Sequence, residues 1–263
     1  MGYFAIINSM NKLDTNAAAF LNITGITDRT TVQSINNLVK SLKTAGLWTR
    51  CIAIYPFVGG TAVTNKYNLV NTSQYTITFV GTWTYASTGV LPIGLNSYAN
   101  TGMLATILSQ NNAHLAFYSR TNAAASDRVS MGAIVGGSSP MVGIQLRNAA
   151  GNAVAQNASG TVNQTAVFAN ANSQGFYMSS KNSSSIGGLV MYKNGVSQAS
   201  NPVAITVNNY PSANILIGAY STTTFFDDKE CAYASIGLSM NATQAANYNT
   251  IITNFETEQG RNV

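Results

Sequence analysis

The chain has 263 residues, of which 46% are hydrophobic and only 8% charged, against roughly 25% charged in an ordinary soluble domain. So much apolar residue excludes a disordered chain, and a surface this poor in charge is weakly protected against association, so a packed domain living inside a multi-copy assembly is expected. The formal charge of +5 comes from 13 basic and 8 acidic residues. Arg120, Arg128, Arg147, Lys181, Lys193 and Lys229 are scattered rather than clustered, so nucleic acid is not an expected partner.

Along the chain, Met1–Met10 carries no basic region ahead of its short apolar run, so no signal peptide is expected. No segment reaches the roughly 18 apolar residues of a membrane span, and a cytoplasmically made chain with no membrane partner follows. Ile6 stands where a myristoylation signal carries Ser or Thr. Tyr3, Phe4, Ile6 and Ile7 have no helix of their own to bury them, and are expected to form an assembly arm that pairs with a neighbouring chain. A short helix is predicted after Asp14, through Ala17–Leu21, ending at Gly25. A second begins near Asp28 or Thr30. Its Val32, Ile35, Leu38, Val39 and Leu42 recur at steps of three and four, and Gly46 ends it.

From Arg50 the pattern changes to short runs rich in β-branched and aromatic residues, bounded by Gly, Asn, Ser or Pro. These are Cys51–Val58, Gln74–Val80, His114–Arg120, Met141–Leu146, Gly188–Tyr192, Val203–Val207, Ile215–Tyr220 and Cys231–Ile236. Many strands at this spacing predict a sandwich or barrel. Asn194-Gly195 reads as the type I′ turn of a hairpin, because both central residues need positive φ. Gly132–Gly137 reads as a turn rather than a phosphate loop, since it carries no Lys and leads into no helix. A last helix is predicted from a capping box at Asn241 and Gln244, with Ala245, Tyr248, Ile251, Ile252 and Phe255 as its apolar face. The expected organisation is an arm with docking helices over residues 1–48 and an all-β sandwich with a C-terminal helix over 49–263.

Several segments carry a family resemblance. Gly46–Arg50 with Ala53–Gly60, Gly81–Gly89, Asn111–Asn122 and Lys229–Gly237 resemble segments of tailed-phage virion structural proteins built on a concanavalin-like, laminin-G-like jelly-roll sandwich. Gly94–Tyr98, Tyr192–Gly195 and Leu216–Ala219 resemble the wider laminin-G pattern. The resemblance implies a tail-fibre, baseplate or capsid-surface protein, located in the virion and in contact with other virion proteins. A glycan-binding host-attachment adhesin is the alternative, with a host surface glycan as partner. In that fold the first and last strands are neighbours, which places the strands of Cys51 and Cys231 side by side without fixing their register. Two buried free thiols are expected, with a disulfide as the alternative.

The chemistry of an enzyme is thin. Glycoside hydrolysis needs two carboxylates facing one bond. Of Asp14, Asp28, Asp127, Asp227, Asp228, Glu230, Glu256 and Glu258, only Asp227, Asp228 and Glu230 cluster, and they read as a solvated turn before the last strand. Asp14, Asp28, Glu256 and Glu258 belong to helices expected outside the sandwich. A polysaccharide hydrolase is therefore disfavoured and no catalytic residue is expected. His114, the one histidine, lacks a nucleophile elbow and reads as a hydrogen-bonded structural residue. Neither a cofactor nor a metal site is expected, because Asp227 and Asp228 have no third ligand at calcium spacing. Alternation puts His114, Ala116, Tyr118 and Arg120 on one strand face, so Tyr118 and Arg120, with Trp83 and Tyr85, form the candidate ligand or partner surface.

Overall fold

The computed structural model describes residues 13–136, 138–159, 165–205 and 209–263. The expected arm at Tyr3, Phe4, Ile6 and Ile7 lies outside the described residues. Helix α1 (Thr15–Thr24) starts where the Asp14 carboxylate accepts from the Asn16 N–H at 2.9 Å, and stops at Gly25 in the left-handed conformation (φ 68°). Helix α2 (Arg29–Thr44) is capped by Asp28, which accepts from the Thr31 N–H at 2.8 Å. A four-residue helix, α3 (Ala62–Asn65), follows the first strand. Helix α4 (Ala242–Glu258) begins at a reciprocal capping box between Asn241 and Gln244.

The strands described are β1 (Cys51–Tyr55), β2 (Thr78–Ala86), β3 (Gly89–Leu104), β4 (Ala113–Ser119), β5 (Met131–Val135), β6 (Ser138–Gln145) and β7 (Asn152–Ser159). They continue with β8 (Ala166–Ala169), β9 (Gly175–Lys181), β10 (Leu189–Lys193), β11 (Val196–Ser200), β12 (Asn214–Ile217) and β13 (Cys231–Gly237). All pair antiparallel, in the order β11-β10-β9-β4-β13-β3-β12-β5-β6-β7-β8, with β1 beside β13 and β2 beside β3. The far end, β8, comes back against β11, so the sheet rolls into two layers and nearly closes. The chain is an all-β sandwich with two N-terminal helices and one C-terminal helix, as expected.

One core fills the inside of the roll, with residues such as Val90, Leu115, Phe117, Met131, Val142, Ile144, Leu189 and Ile215. A second lies between the outer face of β1, β4, β9, β10 and β13 and the helices. There Phe20, Ile35, Leu38 and Leu42 meet Ile54, Met178, Tyr233, Tyr248 and Ile252. Strands β4, β9 and β13 are consequently buried along their whole length. The expected division at residue 48 is not a break in packing, since α1 and α2 bury their apolar faces on the sandwich itself.

Local signals hold where the chemistry is local. Asn194 and Gly195 have φ of 50° and 76°, the I′ turn joining β10 to β11. Other expectations shift. The run predicted at Gln74–Val80 is displaced into β2, and Val203–Ile205, the described part of the run predicted to residue 207, is not strand. Gly132–Val135 is strand β5 rather than turn. A Cβ on Gly132 would lie 2.4 Å from the Val142 carbonyl oxygen, so this glycine serves close strand packing.

The first and last strands are neighbours, with Cys51 opposite Gly237 and Tyr55 opposite Ala234. Cys231 is at the other end of β13, and the two thiols face different cores, Cys51 under the helices and Cys231 inside the roll. Both are free and buried, and burial pushes the Cys51 thiol up to about 12.

Candidate functional site

The expected surface patch is not a surface. Tyr118 and Arg120 do share a face, but that face is covered by the C-terminal segment. Tyr118 is buried, its hydroxyl donating to Asn262 Oδ1 at 2.6 Å and accepting from the Val263 N–H at 3.0 Å. Arg120 donates from Nε to the Arg261 carbonyl and pairs through Nη1 with Glu230 at 2.9 Å. Trp83 is also buried, its indole N–H donating to the Val80 carbonyl at 2.9 Å. Phe79 packs edge-on against Trp83 and against part-buried Tyr85, with centroids 5.2 and 5.1 Å away. The contacts of these four residues are thus made largely within the fold: Tyr118 and Trp83 are buried, and Arg120 and Tyr85 part-buried.

The acidic residues are corrected too. The turn before β13 is not solvated throughout: Asp227 and Lys229 are fully buried and paired at 2.8 Å, with Asp228 3.2 Å from the same ammonium. Glu230 accepts from the Thr88 hydroxyl and pairs with Arg120. Glu256 is not outside the sandwich but fully buried, paired with Arg261, whose guanidinium also donates to the carbonyls of Pro56, Phe57 and Ala232. Among the described residues no group of three or more His, Cys, Asp or Glu side chains is placed to hold a metal ion.

His114 is the structural residue expected. Its Nδ1 lies 2.6 Å from the Leu238 carbonyl oxygen, which can only accept, so Nδ1 carries the proton and Nε2 accepts from the Ser235 hydroxyl at 3.1 Å. Ser235 in turn accepts from Tyr248, and Tyr248 meets Tyr233 at 2.7 Å. Burial depresses the imidazole to about 4, so it is neutral at physiological pH. Both ring nitrogens are thus engaged inside the core, by a backbone carbonyl and a serine hydroxyl.

A concave site lies elsewhere, at the end of the roll where β4 starts, β9 ends, β10 starts and β11 ends. The loop that leads into β4 and the one that leads out of β11 form a groove of about 650 Å³, lined by Thr106, Leu108, Ser109, Gln110, Asn111, Asn209 and Tyr210. Leu108 and Tyr210 are its buried wall, and the others are exposed. Gln110 donates to Asn209 Oδ1 at 3.2 Å, and Ser184 donates to Asn111 Oδ1 at 2.8 Å, which tie the rim together. The Tyr210 hydroxyl donates inward to Asn157 Oδ1 on β7. Among the described residues the groove's lining has no charged side chain. Planar amides and hydroxyls beside a ring and an aliphatic wall suit a polyhydroxylated ligand, whose hydroxyls need paired donors and acceptors.

Behind the groove lies a residue that sequence reasoning passed over. Lys181 ends β9, with Ala113 of β4 and Leu189 of β10 as its cross-strand neighbours. It shares the inward face of β9 with Tyr177 and Ser179, is fully buried, and its ammonium has no hydrogen-bond partner among the described residues. The only signal in the sequence is a lysine closing an otherwise uncharged run, Gly175–Lys181.

No protein-family model matches the sequence, and no curated protein matches it. Solved structures do match. Domain 4 of AbnA, an extracellular arabinanase from Geobacillus stearothermophilus solved with arabinotriose, superposes with a TM-score of 0.53 at 11% identity, over 76% of this chain and 98% of that domain. A Trypanosoma rangeli sialidase, solved as a covalent intermediate with difluorosialic acid, gives a TM-score of 0.51 at 9% identity, over 83% of this chain and 38% of its own. The chain thus spans less than two-fifths of that sialidase. At these identities the likeness is one of fold, an antiparallel β-sandwich.

Proposed function

We propose that this chain is a non-catalytic, glycan-binding sandwich of a phage particle, present in many copies and contacting other virion proteins and a host surface glycan. The observation that carries the glycan part is the groove of uncharged amides and hydroxyls at Ser109–Asn111 and Asn209–Tyr210. The shared fold with a domain solved with arabinotriose supports it. Binding rather than hydrolysis is the better reading because no carboxylate lines the groove among the described residues, and the acids that cluster in the sequence, Asp227, Asp228 and Glu230, are held by Lys229 and Arg120. The phage part rests on the sequence resemblance and the low charge. With α1 and α2 committed to the sandwich, attachment to the particle falls to Tyr3, Phe4, Ile6 and Ile7.

A glycan array with the full chain tests the first part. Gln110→Ala with Asn111→Ala should weaken the best ligand about tenfold, the worth of one or two hydrogen bonds, with no reducing ends released on long incubation. An array without a binder sinks the glycan reading, and released product sinks the non-catalytic one. Immunogold labelling of purified particles tests the virion part, which fails if no particle carries the chain.

A further inference from the structure

Lys181 differs from every other buried cation described here in lacking an anion. Lys229 is equally buried but sits between Asp227 and Asp228, and Arg261 is paired with Glu256. The chain has no acid left for Lys181. Asp14 pairs with Lys43, Asp28 caps α2, and Asp127 accepts from the Ala149 N–H. Asp227 and Asp228 hold Lys229, Glu230 holds Arg120, Glu256 holds Arg261 and Glu258 accepts from Asn37. Those are all eight carboxylates of the sequence.

The ammonium is nevertheless charged at neutral pH. Desolvation pulls it down only to about 8. An unpaired buried charge is expensive, and folds normally supply it with a partner. Two more inward-facing groups lack partners as well: the Ser179 hydroxyl, one alternation up β9, and the Asn157 amide nitrogen on β7. Asn157 Oδ1 is already taken by Tyr210, which forms the groove wall. One cation, one hydroxyl and one amide N–H on the inward face therefore lack acceptors among the described residues, Asn157 joined to the groove wall through Tyr210 and Lys181 opposite Ala113, two residues from the groove's Asn111. Beyond the Lys181–Ala113 pair, a side-chain hydrogen bond from Ser184 to Asn111 spans the rim.

We propose that the groove takes an acidic glycan, whose anionic group passes the Ser184–Asn111 rim and is received by Lys181, with Ser179 and Asn157 donating beside it. This rests on the glycan-binding reading and names its ligand class. An ammonium is a point charge that accepts carboxylate or phosphate alike, so both kinds of acidic sugar belong in the test.

The full chain is screened on an array carrying neutral, uronic-acid, sialylated and phosphorylated glycans, and the best ligands are titrated calorimetrically. Each acidic ligand is compared with its neutral counterpart, the carboxyl reduced to an alcohol or the phosphate removed. An acidic ligand should bind at least about tenfold tighter than its neutral form, and whether uronate, sialate or phosphate leads identifies the anion. Lys181→Met and Lys181→Gln should lose that preference while binding the neutral form as the wild type does. The Lys181 side-chain nitrogen, followed by NMR, should titrate at higher pH with the acidic ligand bound. Neutral ligands bound without acidic preference, or a preference unchanged in Lys181→Met, overturn this inference and leave the glycan reading intact. An array with no binder overturns both.

Discussion

The two faces of strands β4, β9 and β13 solve the same problem in opposite ways. Under the helices, the buried polar groups answer one another: Tyr233, Tyr248, Ser235 and His114 form a directed chain ending on the Leu238 carbonyl. Beside it the Arg261 guanidinium is shared among Glu256 and three backbone carbonyls. On the inward face, at the groove end, Lys181, Ser179 and Asn157 keep donors without acceptors. Buried polar groups are normally satisfied, so the first region is scaffold, and the second carries a local cost that a ligand would relieve. Unpaired buried polar atoms also occur at Asn65, Ser126, Ser130 and Arg147. What sets the groove end apart is that one of them is the whole ammonium of a fully buried lysine, and a local cost of that kind is a common mark of a site.

The scaffold side breaks hardest. Arg261→Met leaves the Glu256 carboxylate buried without its partner and strands the carbonyls of Pro56, Phe57 and Ala232. The expected loss is about 3–5 kcal/mol, read as a fall in the urea midpoint. Adding Glu256→Gln should return part of it, because a neutral amide tolerates the site better than a lone charge. A loss below about 1 kcal/mol would mean that the C-terminal segment is not part of the scaffold.

His114 gives that side a pH signature. Its folded value near 4 is below the ordinary 6.5, so its contribution is full above about 6.5 and is lost as pH falls through the interval down to 4. The two and a half units correspond to at most about 3 kcal/mol. Urea midpoints measured from pH 7.5 to 4 should decline over that window in the wild type, and the decline should shrink in His114→Gln. Equal slopes in the two proteins would show that the imidazole is accessible to protons in the folded state.

What was legible in the sequence was chemistry that a few neighbouring residues settle among themselves. Asp14, Asp28 and the Asn241–Gln244 box cap their helices, and Asn194-Gly195 makes its turn, because each needs only a local hydrogen bond or a local φ. Strand β9 was missed because both its faces are buried, so Phe176-Tyr177-Met178-Ser179-Ser180-Lys181 shows no period of two. For Tyr118 and Arg120 the alternation is right and the inference from it wrong. Which face is covered depends on Arg261, Asn262 and Val263, more than a hundred residues away. The same distance hid the groove, whose two loops approach because β3 and β12 pair, with Leu104 opposite Asn214, and because Gln110 reaches Asn209.

The smallest expected effect has the opposite sign and so separates the two regions most sharply. A folded value near 8 for Lys181, against the ordinary 10.5, means that the fold works against the charged form throughout the range below 8. Lys181→Met removes that charge and keeps most of the aliphatic volume, so it should stabilise the chain by about 1–3 kcal/mol at pH 7. The gain should be constant below pH 8, fade as the wild-type amine deprotonates in the fold, and vanish near 10.5. A scaffold lysine behaves the other way: removing Lys229 would strand Asp227 and cost stability. If Lys181→Met destabilises the chain instead, Lys181 belongs with the scaffold. The contrast between the two faces then collapses, and with it the reason to look for an anion behind the groove.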